Sequence, residues 1–220
     1  MLRALGLALA LIFAAASSAQ ELKLAPVDEG ASDASWPRFK ARLLEALERR
    51  DQKFVLAIVD SKIRNMSGPD GVAEFKKLWE LQSADSPLWT ELAKLLFLGS
   101  VFVKRDAKSN ELCAPYVYYR WPDTVDSSAS GAIIAKEALL KARPTASAVT
   151  LGSLSYDLVA VVDWEVADEN KQSTQKWVKL KTRAGEGYVP EEQVRSPLEY
   201  RACFVNRGAR WRMTALEVGE

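Results

Sequence analysis

The chain contains two cysteines, Cys113 and Cys203, and no histidine. Without an imidazole, neither a Ser-His-Asp nor a Cys-His arrangement can be assembled, and the usual zinc sites are excluded. A cysteine nucleophile must be a free thiolate, which two cysteines bonded to each other do not offer. What survives is a carboxylate pair or a serine–lysine arrangement, and no spacing recommends either. Glu74, Glu80 and Glu91 are the carboxylates from which a glycosidase-type acid and base would be drawn. They lie on segments of helical periodicity, where surface glutamate is routine. No catalytic residue, metal site or cofactor is expected.

Charge narrows the partners. Lysine and arginine number 30 and aspartate and glutamate 29, so there is no basic field of the kind that holds a phosphate backbone, and nucleic acid is not an expected partner. The first residues point to a compartment. Arg3 precedes an apolar run, Ala4 to Ala16, and the small residues Ser17, Ser18 and Ala19 follow, which is the layout of a secretory signal peptide over 1–19. The mature chain then begins near Gln20 and meets a membrane only through that peptide before cleavage. A retained membrane anchor is the competing assignment, but the run is short of the roughly 20 apolar residues that a bilayer requires.

In an exported chain, two cysteines favour a Cys113–Cys203 disulfide; two buried reduced thiols are the alternative. Closing a loop of roughly 90 residues stabilises the folded state by about 4 to 5 kcal/mol in the chain-entropy model.

With 220 residues, 48% of them hydrophobic, the chain can bury a substantial core, and two small domains fit better than one large one. Residues 20–35, rich in aspartate, alanine and serine without periodicity, read as a flexible leader. Helical order begins at Trp36-Pro37, with proline tolerated in the first turn. Trp36, Phe39, Leu43 and Leu47 then share a face. The run Phe54 to Val59 is too short for its period to decide, and helix is preferred because Ile63 continues the face. Asp70 is expected to cap a third helix carrying Val72, Phe75, Leu78 and Trp79, and Asp85-Ser86-Pro87 starts a fourth carrying Leu88, Trp89, Leu92, Leu95 and Leu96. Trp36, Trp79 and Trp89 sit on apolar stripes and are assigned to the core rather than to a sugar platform. This gives a helical domain over 36–99. Connecting strands follow over 100–130, at Val101 to Lys104 and Leu112 to Trp121 around a polar tip from Asp106 to Asn110.

From Gly131 the strands are short and closely spaced: Ala138 to Ala142, Val149 to Leu154, Leu158 to Val162, Trp177 to Lys181 and Glu186 to Pro190. A tight turn falls at Ser155-Tyr156-Asp157, and Ala184-Gly185-Glu186-Gly187 closes the last hairpin. The polar stretch between Trp164 and Lys176 reads as a long loop: a recognition loop, a cation site or a solvated tip. Tyr200 to Glu220 reads as a hairpin, with Trp211, Met213 and Ala215 on one face and Arg210, Arg212 and Thr214 on the other.

Leu140-x-x-Arg143-Pro144, Val149-x-x-Gly152-x-Leu154, Val159-x-Val161, Trp177-Val178-Lys179-Leu180 and Gly187-Tyr188-Val189 together resemble the bacterial SH3-like (SH3b) domain. The resemblance implies an α+β chain: an N-terminal α-helical domain, then a C-terminal SH3-like β-barrel with a closing β-hairpin over 131–220. It also implies a non-enzymatic binding or scaffolding role in the periplasm, with cell-wall peptide or an envelope protein as partner. An envelope hydrolase that uses the barrel for targeting is the alternative. For a groove, the expected residues are Tyr156, Trp164, Trp177 and Tyr188, amphipathic rings near loop ends. The competing assignment for Trp177 and Tyr188 is the barrel core.

Overall fold

A computed structural model describes residues 22–66, 68–105, 110–183, 185–208 and 210–219. The expected signal peptide over 1–19 lies outside the described residues, as do 106–109 of the expected polar tip and Ala184 of the expected last turn.

The first half consists of α1 Trp36–Glu48, α2 Gln52–Ile58, β1 Val59–Asn65, α3 Val72–Leu78, α4 Leu88–Phe97, β2 Val101–Lys104, β3 Asn110–Ala114 and the single turn α5 Tyr116–Tyr119. The second half is strand apart from one 3-10 turn, Glu191–Gln193. It runs β4 Ser130–Ile133, β5 Ala138–Lys141, β6 Thr150–Leu154, β7 Leu158–Ala167, β8 Lys176–Thr182, β9 Gly185–Pro190, β10 Val194–Arg195, β11 Tyr200–Asn206 and β12 Trp211–Val218.

α1 and α4 begin at their expected starts, with Pro37 in the first turn of α1 and Pro87 just before α4. The Asp51 carboxylate, not singled out in the sequence, accepts the Phe54 N–H at 2.9 Å to cap α2. Three expectations fail here. Asp70 does not cap α3, whose N-cap is Gly71, and instead accepts the Asn65 N–H at 3.3 Å. The helix expected to run on to Ile63 ends at Ile58, and Ile63 is buried instead by β1, which pairs in parallel with β12; tertiary pairing overrides the apolar run's local ambiguity. The strand expected over Leu112 to Trp121 stops at Ala114 because Pro115 has no N–H to give the ladder, and the chain turns into α5.

One sheet has the order β1-β12-β11-β3-β2. The hairpin β11–β12, expected to complete the barrel, pairs instead with β3 and β1 of the first half. Chain ends and helices thus share one core, in which Trp36, Leu43, Phe75, Trp79, Leu92 and Phe204 are buried together. Three tryptophans expected in that core, Trp36, Trp79 and Trp89, are there. The alternation expected along β12 is broken by a bulge. Phe204 faces Met213 while Cys203 faces Ala215, so Met213 enters the helical core and Ala215 packs on the disulfide side.

The second sheet has the order β10-β4-β7-β8-β9-β5-β6, and its terminal strands β10 and β6 are not paired to each other. The α+β class stands, but this sheet is open rather than a closed barrel. It wraps Ile133, Leu140, Val159, Val178, Leu180 and Val189. β7 runs on through Trp164 to Ala167, which shortens the expected loop to the residues after it.

The leader also departs from expectation. Over its described residues it is a strap between the sheets. On one side the Leu24 N–H donates to the Tyr156 carbonyl at 2.7 Å, and the Leu158 N–H donates to the Leu22 carbonyl at 2.8 Å. Lys23 pairs with Asp157 at 2.8 Å. On the other side the Glu29 N–H donates to the Ser100 carbonyl at 2.7 Å, and the Asp28 carboxylate accepts the Ser100 hydroxyl at 2.7 Å. Between these ties Leu24 is buried with Val101, Tyr116, Val117 and Ala132, which come from both halves.

Candidate functional site

Where α4 ends against the second sheet, the chain leaves a cleft of about 520 Å³. Phe97 and Lys94 on α4, Trp164 on β7, Ile134 after β4, and Glu191, Glu192, Arg195 and Glu199 line it. Phe97 is 73% exposed. It follows the buried residues Leu95 and Leu96 as the last residue of α4, off the stripe that the helical period buries. Trp164 is half-buried. Its ring edge passes close over Gly131, where an added Cβ would lie 3.3 Å from it and 2.8 Å from Val194; glycine there lets both side chains approach the β4 backbone.

The charged end of the cleft is built across the junction of the two sheets. Arg195, 4% exposed, donates from Nη2 to the Tyr200 carbonyl at 2.8 Å and meets Glu199 at 2.9 Å through Nη1. Its Nε has no hydrogen-bond partner among the described residues. Burial pulls the Arg195 pKa down from its ordinary value, and the carboxylates of Glu199 and Glu91 oppose that pull. Burial pushes the Glu191 carboxyl upward, with Glu165 adding to the push and Lys176 and Lys94 opposing it. Glu192 accepts a hydrogen bond from the Gln175 amide at 2.6 Å. With three carboxylates, one lysine and one arginine around aromatic walls, the cleft suits a ligand that presents apolar surface and a positively charged group.

The four groove residues expected from the sequence are not brought together. Of them, Trp164 lines this cleft. Trp177 is 2% exposed in the second core and donates from Nε1 to Asp168 at 2.9 Å. Tyr188 is half-buried on β9, opposite Lys179 on β8. Tyr156 sits at φ +57° in the turn that receives the leader. No ring contact joins any two of the four among the described residues. Sequence reading missed Phe97, Glu191 and Arg195. Phe97 carried a signal, an apolar residue off the buried stripe of its own helix; the other two carried none.

The cysteines and two of the three glutamates weighed from the sequence are committed elsewhere. Cys113 and Cys203 form a disulfide between facing residues of β3 and β11, with Cα atoms 4.1 Å apart. Glu111 lies beside it but is held by Arg64 at 3.0 Å, Arg105 at 3.2 Å and the Thr214 hydroxyl at 2.6 Å; bonded sulfurs do not complete a metal site with it. Glu74 pairs with Lys77 at 3.4 Å and Glu91 with Lys94 at 2.7 Å, so these two carboxylates neutralise lysines of their own helices. No protein-family model, curated protein or solved structure matches the chain.

Proposed function

We propose that the chain is an exported, non-enzymatic binding protein of the periplasm, and that the junction cleft holds an extended segment of cell-wall peptide or of an envelope protein. The observation that carries this reading is the pairing of the exposed Phe97 with Trp164 across a cleft whose end is lined by carboxylates. Two aromatic walls offer stacking area at little entropic cost, and the carboxylates favour a basic side chain or a free amine. The disulfide agrees with an oxidising compartment. The affinity of the second half to SH3-like domains belongs to the same proposal. Its support is the run β7-β8-β9, followed by the 3-10 turn that returns β10 beside β4.

Sedimentation with purified cell wall and capture from envelope extract test the proposal. The parent chain is expected in at least one bound fraction, and Trp164→Ala and Phe97→Ala each weaken retention about tenfold, as loss of one central aromatic does at an interface. Absence from both fractions, or retention unchanged in both variants, overturns it. One observation favours the alternative of an envelope hydrolase: a carboxyl held toward its protonated form in a cleft is a general-acid candidate, and Glu191 is such a group. A clearing zone on a peptidoglycan zymogram that disappears in Glu191→Gln would establish that alternative.

A further inference from the structure

A second concavity, of about 680 Å³, lies where α1, α2 and the start of β12 meet, and it shares no residue with the junction cleft. Arg38, Arg42, Arg210 and Arg212 line it, and no acidic residue does. None of the four guanidinium groups has a carboxylate partner within ion-pair distance among the described residues. Two are oriented by groups that leave their charge intact. Arg212 donates from Nη1 to the Ala57 carbonyl, and Arg42 lies 5.5 Å from the centre of the Phe54 ring.

The acids of the adjoining segments are not ion-pair partners of these arginines: Asp33 keeps its charge while accepting the N–H and hydroxyl of Ser35 at 2.9 and 2.6 Å, Asp51 caps α2 at Phe54, and Asp60 pairs with Arg207 at 3.2 Å. The wall between the arginines is aromatic: Phe39 and Trp211 lie stacked at 6.0 Å, with Phe54 beside them.

We propose that this concavity is a binding site for a phosphate ester carried on a flat, apolar body. In a chain whose net charge is +1, four uncompensated arginines around one hollow repel each other, and an anion that bridges them removes that repulsion. A planar guanidinium fork matches two phosphate oxygens better than an ammonium does, and two of these forks are already oriented. The aromatic wall adds what a bare phosphate cannot use. Phe39 and Phe54, both half-buried, offer apolar area beside the charges, and Trp211, 6% exposed, backs Phe39 from the core, so the ligand has a flat part attached to its anionic part. A phosphate monoester approaches two negative charges above about pH 6, which is the form that four guanidinium groups select.

Calorimetric titration of the full chain with phenyl phosphate, inorganic phosphate and phenol tests this, in low salt at pH 7.5. Phenyl phosphate is expected to bind about tenfold or more tightly than inorganic phosphate, phenol to give no measurable heat, and affinity to fall with added salt. Arg42→Gln and Arg38→Gln, both on the exposed side of α1, each weaken phenyl phosphate about tenfold. Lys136→Gln, an exposed cation that lines neither concavity, leaves the affinity unchanged. Because Arg212 also ties β12 to α2, Arg212→Gln is read only alongside a melting curve that matches the parent's. Equal affinity for inorganic and phenyl phosphate overturns the ligand class. Affinity unchanged in Arg38→Gln and Arg42→Gln, or a stronger response to an acidic peptide such as tetraglutamate, overturns the site.

Discussion

At the scale of single residues, placement rather than type separates the groups that are committed from those that are free to act. Glu74 and Glu91 neutralise lysines one turn along their helices, while Glu191 has no ion-pair partner among the described residues and lines the junction cleft. Burial raises its pKa from an ordinary value of 4.5. A carboxyl raised in the folded state contributes stability that is fully present below its unfolded pKa and is lost as pH rises through the folded value. At neutral pH the ionised Glu191 therefore works against folding. Glu191→Gln is expected to melt at a higher temperature than the parent at pH 7 to 8, and the gain shrinks as pH falls toward 4. A gain that is constant across that range would mean the carboxyl is not desolvated. If the cleft takes a cation as proposed, a cationic ligand should reduce the gain in the same measurement.

At the scale of elements, the leader is the piece whose role changes most between sequence and structure. Its composition marks it as disordered, yet Leu24 is 6% exposed between the two sheets and backbone bonds hold it on both sides. Leu24→Ala is expected to lower the unfolding free energy by about 2 to 4 kcal/mol in urea titration, as removal of a buried leucine side chain does. It should also open the leader to limited proteolysis near Lys23. An unchanged midpoint would mean that the strap does not hold the halves together.

The elements that could be read from sequence were those whose signal is local. Pro37 and Pro87 mark helix starts, and the stripe from Leu88 to Leu96 has its own period. The strands from Ala138 to Pro190 are bounded by turns that the residues themselves specify. What could not be read depends on partners far away in sequence. β1 exists because β12 lies beside it, the leader is ordered because Tyr156 and Ser100 receive it, and the face of β12 shifts because of one bulge. The cleft failed for the same reason: Phe97 and Trp164 are far apart in sequence, and only the packing of α4 on the second sheet brings both to line it.

At the scale of the molecule, the second sheet is an insertion. The chain leaves the first sheet after β3 and α5, builds the second through β10, and returns as β11 and β12 to occupy the middle of the first. The disulfide lies wholly within that first sheet, joining β3 to β11 across a sequence separation of 90, so it ties together the two chain segments that flank the insertion. This placement predicts which half fails when the C-terminal strands are removed. A chain ending at Pro197 leaves β1 without its partner and β3 paired only with β2, and it strips Phe204, Trp211 and Met213 from the helical core. The second sheet keeps every one of its strands. Loss of the near-ultraviolet dichroism of the core tryptophans Trp36, Trp79 and Trp89 is expected, together with hydrogen-exchange protection that survives over β7, β8 and β9 and disappears over α1 and α4. Were the hairpin instead the closing piece of the second sheet, the same truncation would expose β7 to β9 and spare the helices. Full-length chain with the disulfide reduced provides the intermediate case. Both sheets retain their strands, but the first loses its covalent tie, so its protection should fall uniformly while that of β7 to β9 is unchanged.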